Sequence, residues 1–212
     1  MYELNSAVNR AGNRTSEQPP SGPTTYYPWD ASGRMVTAEV EAGIVTLTYN
    51  ADGQRVAKVS TDHSVVGYLY DLKRLLHETD GADNVTNTYA AGTNDEFGDL
   101  IGEGDGQSHV YDAQADTDAL LDSTGTVEAR YKYTAFGQVD AVSLAGGAWS
   151  REDWETLPLE LSSHMLAGGK KHYYLDMETS LYLLGSGNPA GGGRYYDPET
   201  ARFLSEAVEK GS

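Results

Sequence analysis

The sequence predicts an all-β protein of successive antiparallel hairpins, forming a curved open sheet with one short helix. Three observations predict it. Tyr27, Tyr49, Tyr70, Tyr89, Tyr111 and Tyr133 recur about every 21 residues, the mark of a copied supersecondary unit. Between them lie segments rich in β-branched and aromatic residues, some strictly alternating in polarity. Turns of one design separate the segments: Asp30-Ala31-Ser32-Gly33, Asn50-Ala51-Asp52-Gly53 and Asp122-Ser123-Thr124-Gly125. In each, the first side chain is placed to accept from the backbone two residues on, and the glycine supplies the left-handed residue of a bulged hairpin loop.

Taken in order, residues 1–25 read as a loop-rich lead-in, with Pro19, Pro20 and Pro23 among Asn, Ser, Thr and Gly. Residues 26–140 carry the hairpin repeats. Strands are expected at 34–40, 43–49, 54–60, 64–70 and 73–79, followed by hairpins at 107–121 and 126–139. Within 43–49, Ile44, Thr46 and Thr48 should face one way, and Val45, Leu47 and Tyr49 the other. Residues 141–164 form a flexible segment with the helix near 150–160. Ser150 would cap it, Glu152 and Asp153 would occupy its first turn, and Pro158 would keep it short. Residues 165–206 return to Gly-rich, Tyr-rich β sequence, and 207–212 form a tail. Only about ten to twelve strands of five to six residues are expected, too few to close a shell, so free sheet edges should invite pairing.

Composition narrows the function classes. The 212 residues are 39% hydrophobic, with fifteen Tyr against three Phe. Tyr packs its ring on a sheet while its hydroxyl keeps a hydrogen bond, which suits sheets with partly solvated faces. A formal charge of −17 argues against nucleic acid as a partner, because phosphate neutralisation needs Lys and Arg. The same charge argues against an anionic membrane surface. With no cysteine, disulfides and thiolate metal sites are excluded. No segment approaches the length of a membrane span, and the start Met1-Tyr2-Glu3-Leu4-Asn5 lacks a basic or apolar run. The expectation is a cytoplasmic chain or part of a larger exported product. The sequons Asn13-Arg14-Thr15 and Asn84-Val85-Thr86 lie in turn-like contexts.

Longer strings resemble the YD-repeat, or RHS, family of large bacterial proteins, and its C-terminal repeat-associated core in particular. Gly12-Asn13-Arg14 resembles the family's Gly-Asn-Arg element. Tyr49-Asn50-Ala51-Asp52-Gly53-Gln54-Arg55 resembles its Tyr-x-x-x-Gly-x-Arg hairpin. Tyr131-Lys132-Tyr133-Thr134-Ala135-Phe136-Gly137 matches the segment before the core, and Arg194-Tyr195-Tyr196-Asp197-Pro198-Glu199-Thr200-Ala201-Arg202-Phe203-Leu204-Ser205 its most specific string. The resemblance covers nearly all of residues 10–206. It implies a fragment of a β-spiral shell around a toxin domain, located outside the cell or at its envelope. It also implies a core that cleaves itself with paired aspartates, one acting as base while the other acts as acid.

Here the resemblance places Asp176 at the first of those aspartates and Ala207 at the second. With one carboxylate missing, no catalytic residue is expected, and Asp176 reads as a turn cap. Residues 184–193 insert a low-complexity stretch between the motifs. Ser180 and Ala201 stand where the family has glycine, each at an expected cost on the order of 1 kcal/mol in a left-handed turn. The core thus reads as truncated and degenerate.

Other candidates are weaker. Asp95, Glu96, Asp99, Glu103 and Asp105 line Gly-rich turns but lack the spacing of a calcium loop. His63, His77, His109, His164 and His172 never reach metal-ligand spacing, so neither metal nor cofactor is expected. No nucleophile elbow or phosphate loop occurs, and Gly185-Ser186-Gly187 and Gly191-Gly192-Gly193 lack the flanking strand and helix. Trp149 and Trp154 fit packing better than sugar stacking. The functional expectation is a non-enzymatic structural segment of an RHS-type protein. Its partners would be the remainder of that protein, or a second copy, through sheet edges. The alternatives are a surface module for glycans or a partner, and a residual self-cleaving core.

Overall fold

The computed structural model describes residues 5–19, 22–41, 43–92, 99–104, 106–151, 163–185 and 193–205. Fourteen strands follow one another in a single antiparallel meander, each hydrogen-bonded to the next: β1 (Asn5–Val8), β2 (Arg14–Gln18), β3 (Thr25–Tyr26), β4 (Thr37–Val40), β5 (Gly43–Tyr49), β6 (Arg55–Val59), β7 (Val65–Asp71), β8 (Arg74–Thr79), β9 (Val85–Ala91), β10 (Leu100–Glu103), β11 (Gln107–Tyr111), β12 (Thr117–Leu121), β13 (Val127–Tyr133) and β14 (Val139–Leu144). A second sheet holds β15 (Tyr174–Asp176), β16 (Leu181–Leu184), β17 (Arg194–Asp197) and β18 (Arg202–Phe203), again in sequence order. The all-β open-sheet expectation holds. The strands are more numerous and shorter than expected, and the expected lead-in contains the β1–β2 hairpin. Among the described residues the helical content is one 3-10 turn, Gly169–Lys171. The helix expected near 150–160 falls mostly on residues outside the described set.

The turns work as their residues dictate. Asp30, Asn50 and Asp122 each accept a backbone N–H four residues on at 2.9 Å, and Gly33, Gly53 and Gly125 have φ of 74°, 79° and 83°. Alternation in β5 is as expected: Ile44, Thr46 and Thr48 are exposed, Val45 and Leu47 buried. Ser180 and Ala201 both adopt φ of 57°, the left-handed conformation that favours glycine. Ser180→Gly and Ala201→Gly are therefore each expected to raise stability by up to about 1 kcal/mol, read as a higher melting temperature.

Four of the six recurrent tyrosines share a structural task. Tyr49, Tyr70, Tyr111 and Tyr133 each donate their hydroxyl to a backbone carbonyl of the preceding hairpin, those of Met35, Arg55, Leu100 and Thr117, at 2.6–2.9 Å. Phe would fill the same space but leave the carbonyl without this donor, which accounts for Tyr rather than Phe at these four positions.

The four-stranded sheet lies between two parts of the meander. Tyr174, Leu181, Leu183 and Tyr195 pack into a core with Met35, Val45, Leu47, Tyr68 and Leu100 from the first ten strands and their turns. The intervening Leu175 and Tyr182 pack into a second core with Leu120, Ala129, Tyr131 and Val142 from β12 to β14. Alternation along β15 and β16 thus sends neighbouring residues into different cores. The meander's two outer edges differ. Every residue of β1 is exposed. Along β14, Val142 exchanges two 2.8 Å backbone hydrogen bonds with Ser150, which covers that edge in part.

Candidate functional site

The site builds from β6. Its pairing with β5 slips by one residue between Thr48–Ala57 and Tyr49–Arg55, so Val56 is the extra residue of a bulge. The bulge reverses side-chain parity, so Arg55 and Lys58, three apart, both point into the joint with the second sheet. Their relative exposures are 1% and 2%. Opposite them stands Asp176 of β15, 2% exposed. Arg55 Nη1 donates to Asp176 Oδ2 and, at 3.2 Å, to the Tyr195 hydroxyl. Lys58 Nζ lies 3.3 Å from Asp176 Oδ1 and 2.8 Å from Glu178 Oε2, and Ser60 Oγ donates to Glu178 at 3.2 Å. The guanidinium of Arg55 is 4.6 Å from the ring centre of Tyr68 and 5.0 Å from that of Tyr174. His164 stacks on Tyr174 at 4.6 Å and places Nδ1 2.7 Å from the Leu175 carbonyl.

These contacts fix the charge state of Asp176. Burial pushes its carboxyl up, but the charges of Arg55 and Lys58 outweigh burial and hold it below the usual carboxylate range. Both oxygens are engaged by cations. Paired acid–base chemistry instead needs two carboxylates sharing a proton. Asp176 is therefore a buried counter-ion joining the sheets, not the side-chain turn cap expected of it; the turn itself closes through its backbone carbonyl, which accepts from Thr179 N at 3.2 Å. Ala207 lies outside the described residues.

A second polar joint brings together two strings that lie far apart in sequence. Arg14, of the Gly-Asn-Arg element, binds Asp197 of the Tyr-Tyr-Asp-Pro string at 2.9 Å, Glu17 at 2.6 Å and Thr200 at 3.3 Å. Its backbone N–H donates to the Leu204 carbonyl at 2.7 Å. Burial and the neighbouring Asp197 push the Glu17 carboxyl up, against the opposing pull of Arg14. Further along, Asp116 accepts from Gly168 N at 2.6 Å and Thr117 Oγ1 donates to the Met165 carbonyl at 2.6 Å.

The remaining sequence candidates do not converge. Asp99 pairs with Lys170 and Lys171 at 3.4 and 2.6 Å, whereas Asp95, Glu96 and Asp105 lie outside the described residues. Glu103 instead faces His109 at 3.5 Å in the interior. Among the described residues no group of three His, Asp or Glu is arranged to hold a metal ion. Nor does any described helix have the length and apolarity to cross a membrane. Trp149 is 42% exposed, with Lys132 Nζ 4.0 Å from its ring centre; Trp154 and residues 186–192 lie outside the described set. Lys58 is the site residue that sequence reasoning missed, because the bulge hides its inward direction from simple alternation.

Comparison with known proteins finds relatives in sequence and in fold. No protein-family profile matches the chain. It is 31% identical to the tRNA nuclease WapA of Bacillus subtilis strain 168 and 30% identical to the tRNA3(Ser)-specific nuclease WapA of Bacillus spizizenii, across 97% of this chain in both cases. The chain spans only 8% of the length of each. Among solved structures it superposes on a chain of the crystal structure of TcdB2-TccC3-Cdc42 with a TM-score of 0.57 at 15% identity, covering 98% of this chain and 12% of that one. A Photorhabdus luminescens Tc holotoxin pore gives 0.54 at 16% identity, covering 99% and 12%. The chain thus has an RHS-like fold, as its motifs implied. The expectation of a non-enzymatic segment is overturned: the nuclease relatives, similar along almost the whole chain, carry the names of enzymes.

Proposed function

We propose that this chain is a segment of a tRNA-cleaving toxin of the RHS type, and that the polypeptide carrying it is a nuclease. The supporting observation is the 31% identity to a tRNA nuclease across 97% of the chain. In this reading residues 165–206 are the repeat-associated core, and Asp176 occupies the position of its first aspartate. Retained left-handed turns at Ser180 and Ala201 fit a core that has lost glycines and kept its shape. The phosphate contacts to tRNA belong to other parts of the enzyme, since a surface with a formal charge of −17 repels a polyanion. The partner that fits this chain is the remainder of the same polypeptide, added as strands to the exposed edge of β1.

The test is cleavage of total cellular tRNA by the full-length polypeptide, resolved on denaturing gels. Discrete tRNA fragments that accumulate with time are expected. Undegraded tRNA at every enzyme concentration, from a preparation that is folded by circular dichroism, would overturn the nuclease reading.

A further inference from the structure

A groove of about 400 Å³ opens beside β3 and is lined by Asn9, Thr15, Tyr26, Tyr27, Pro28, Trp29 and Glu39. Trp29 is half-buried and also packs against the main core. Tyr26 and Glu39 are directly paired across β3 and β4 and both are exposed, whereas the next residue, Tyr27, is buried. Its walls are held in place. Trp29 Nε1 donates to the Arg14 carbonyl at 2.7 Å, Tyr27 N to the Thr15 carbonyl at 2.9 Å, and Val36 N to the Pro28 carbonyl at 2.9 Å. A Trp29 ring anchored in this way loses little freedom when a ligand enters.

The lining carries one full charge, that of Glu39, and no Lys, Arg or His. Aromatic faces together with a single carboxylate are the chemistry that attracts an organic cation: the rings offer their negative faces and the carboxylate a counter-charge. The overall charge of −17 acts in the same direction. We propose that this groove binds a ligand carrying an ammonium or guanidinium group on an apolar body, with Tyr26 and Trp29 contacting the body and Glu39 the charge. This goes beyond the nuclease reading and does not depend on it.

The probe is choline chloride, titrated into the 212-residue chain at constant ionic strength and followed through the Trp29 indole N–H resonance, which Trp29→Phe identifies. The neutral isostere 3,3-dimethylbutan-1-ol, sodium chloride and methyl glucoside serve as comparisons. A saturable shift with choline is expected, at least about ten-fold weaker with the neutral alcohol. Glu39→Gln and Tyr26→Ala should each weaken it by about five-fold or more while the remaining spectrum stays that of the folded chain. Equal responses to choline and the alcohol, or a choline response that does not saturate, would overturn the proposal. So would saturation by methyl glucoside alone, which would make the groove a sugar platform.

Discussion

Raising the pH from about 9 to about 11 is expected to unfold this chain abruptly, over a narrower range than free tyrosine titrates. The cause is its buried tyrosines. Burial raises the hydroxyl pKa of Tyr27, Tyr49, Tyr68, Tyr89, Tyr111, Tyr131, Tyr133, Tyr174, Tyr182 and Tyr195. A folded-state pKa above the unfolded one means that the native state keeps its proton while the unfolded chain loses it. The stabilisation is then complete below the unfolded value of about 10 and disappears as the pH climbs toward the folded value. At pH about 11, one unit above the unfolded value, each such tyrosine favours unfolding by about 1.4 kcal/mol. Ten together reach about 14 kcal/mol, comparable with the whole stability of an ordinary domain, about 5–15 kcal/mol. The measurement is tyrosinate absorbance near 295 nm alongside far-ultraviolet circular dichroism. The two should change together in one step. A gradual rise in absorbance with the β signal intact would show that the tyrosines ionise in place, and the burial argument would fail.

The features legible in the sequence were those with short-range causes. Asp122, Thr124 and Gly125 specify a bulged turn within five residues, and the alternation of Ile44 to Tyr49 shows which face is buried. The β1–β2 hairpin was hidden because Asn5-Ser6-Ala7-Val8 and Arg14-Thr15-Ser16-Glu17-Gln18 have little apolar content. They are held by backbone pairing and by Arg14, whose partner Asp197 lies at the far end of the chain. Placement of the second sheet was equally hidden. The run Tyr173-Tyr174-Leu175 has no polar alternation, and the structure supplies the reason: each side of β15 meets a different core. At the site, Arg55 and Asp176 were visible as separate motif residues, but one sequence alone could not show that they touch.

Asp176→Asn should be the most damaging single substitution at the joint between the sheets. Asn keeps the shape and removes the charge, leaving Arg55 buried without its counter-ion. Breaking one side of such a buried pair costs about 3–5 kcal/mol. Lys58 suffers less, because Glu178 still holds it at 2.8 Å, so Lys58→Met should cost less than Asp176→Asn. Replacing the main pair together, Arg55→Met with Asp176→Leu, should recover much of the loss, since no unpaired charge is then buried. The pH dependence gives an independent check. Asp176 is held below its ordinary pKa, so its contribution is present above the unfolded value of about 4 and is lost as the pH falls through the folded value. The difference in stability between the parent chain and Asp176→Asn should therefore shrink on acidification below about 4, as the parent loses the same charge. Urea titrations of the four proteins at neutral pH, and of the parent and Asp176→Asn at acid pH, decide the matter. Equal midpoints for the parent and Asp176→Asn at neutral pH would mean that Arg55 finds another anion or water in the joint. The aspartate would then be dispensable for holding the two sheets together.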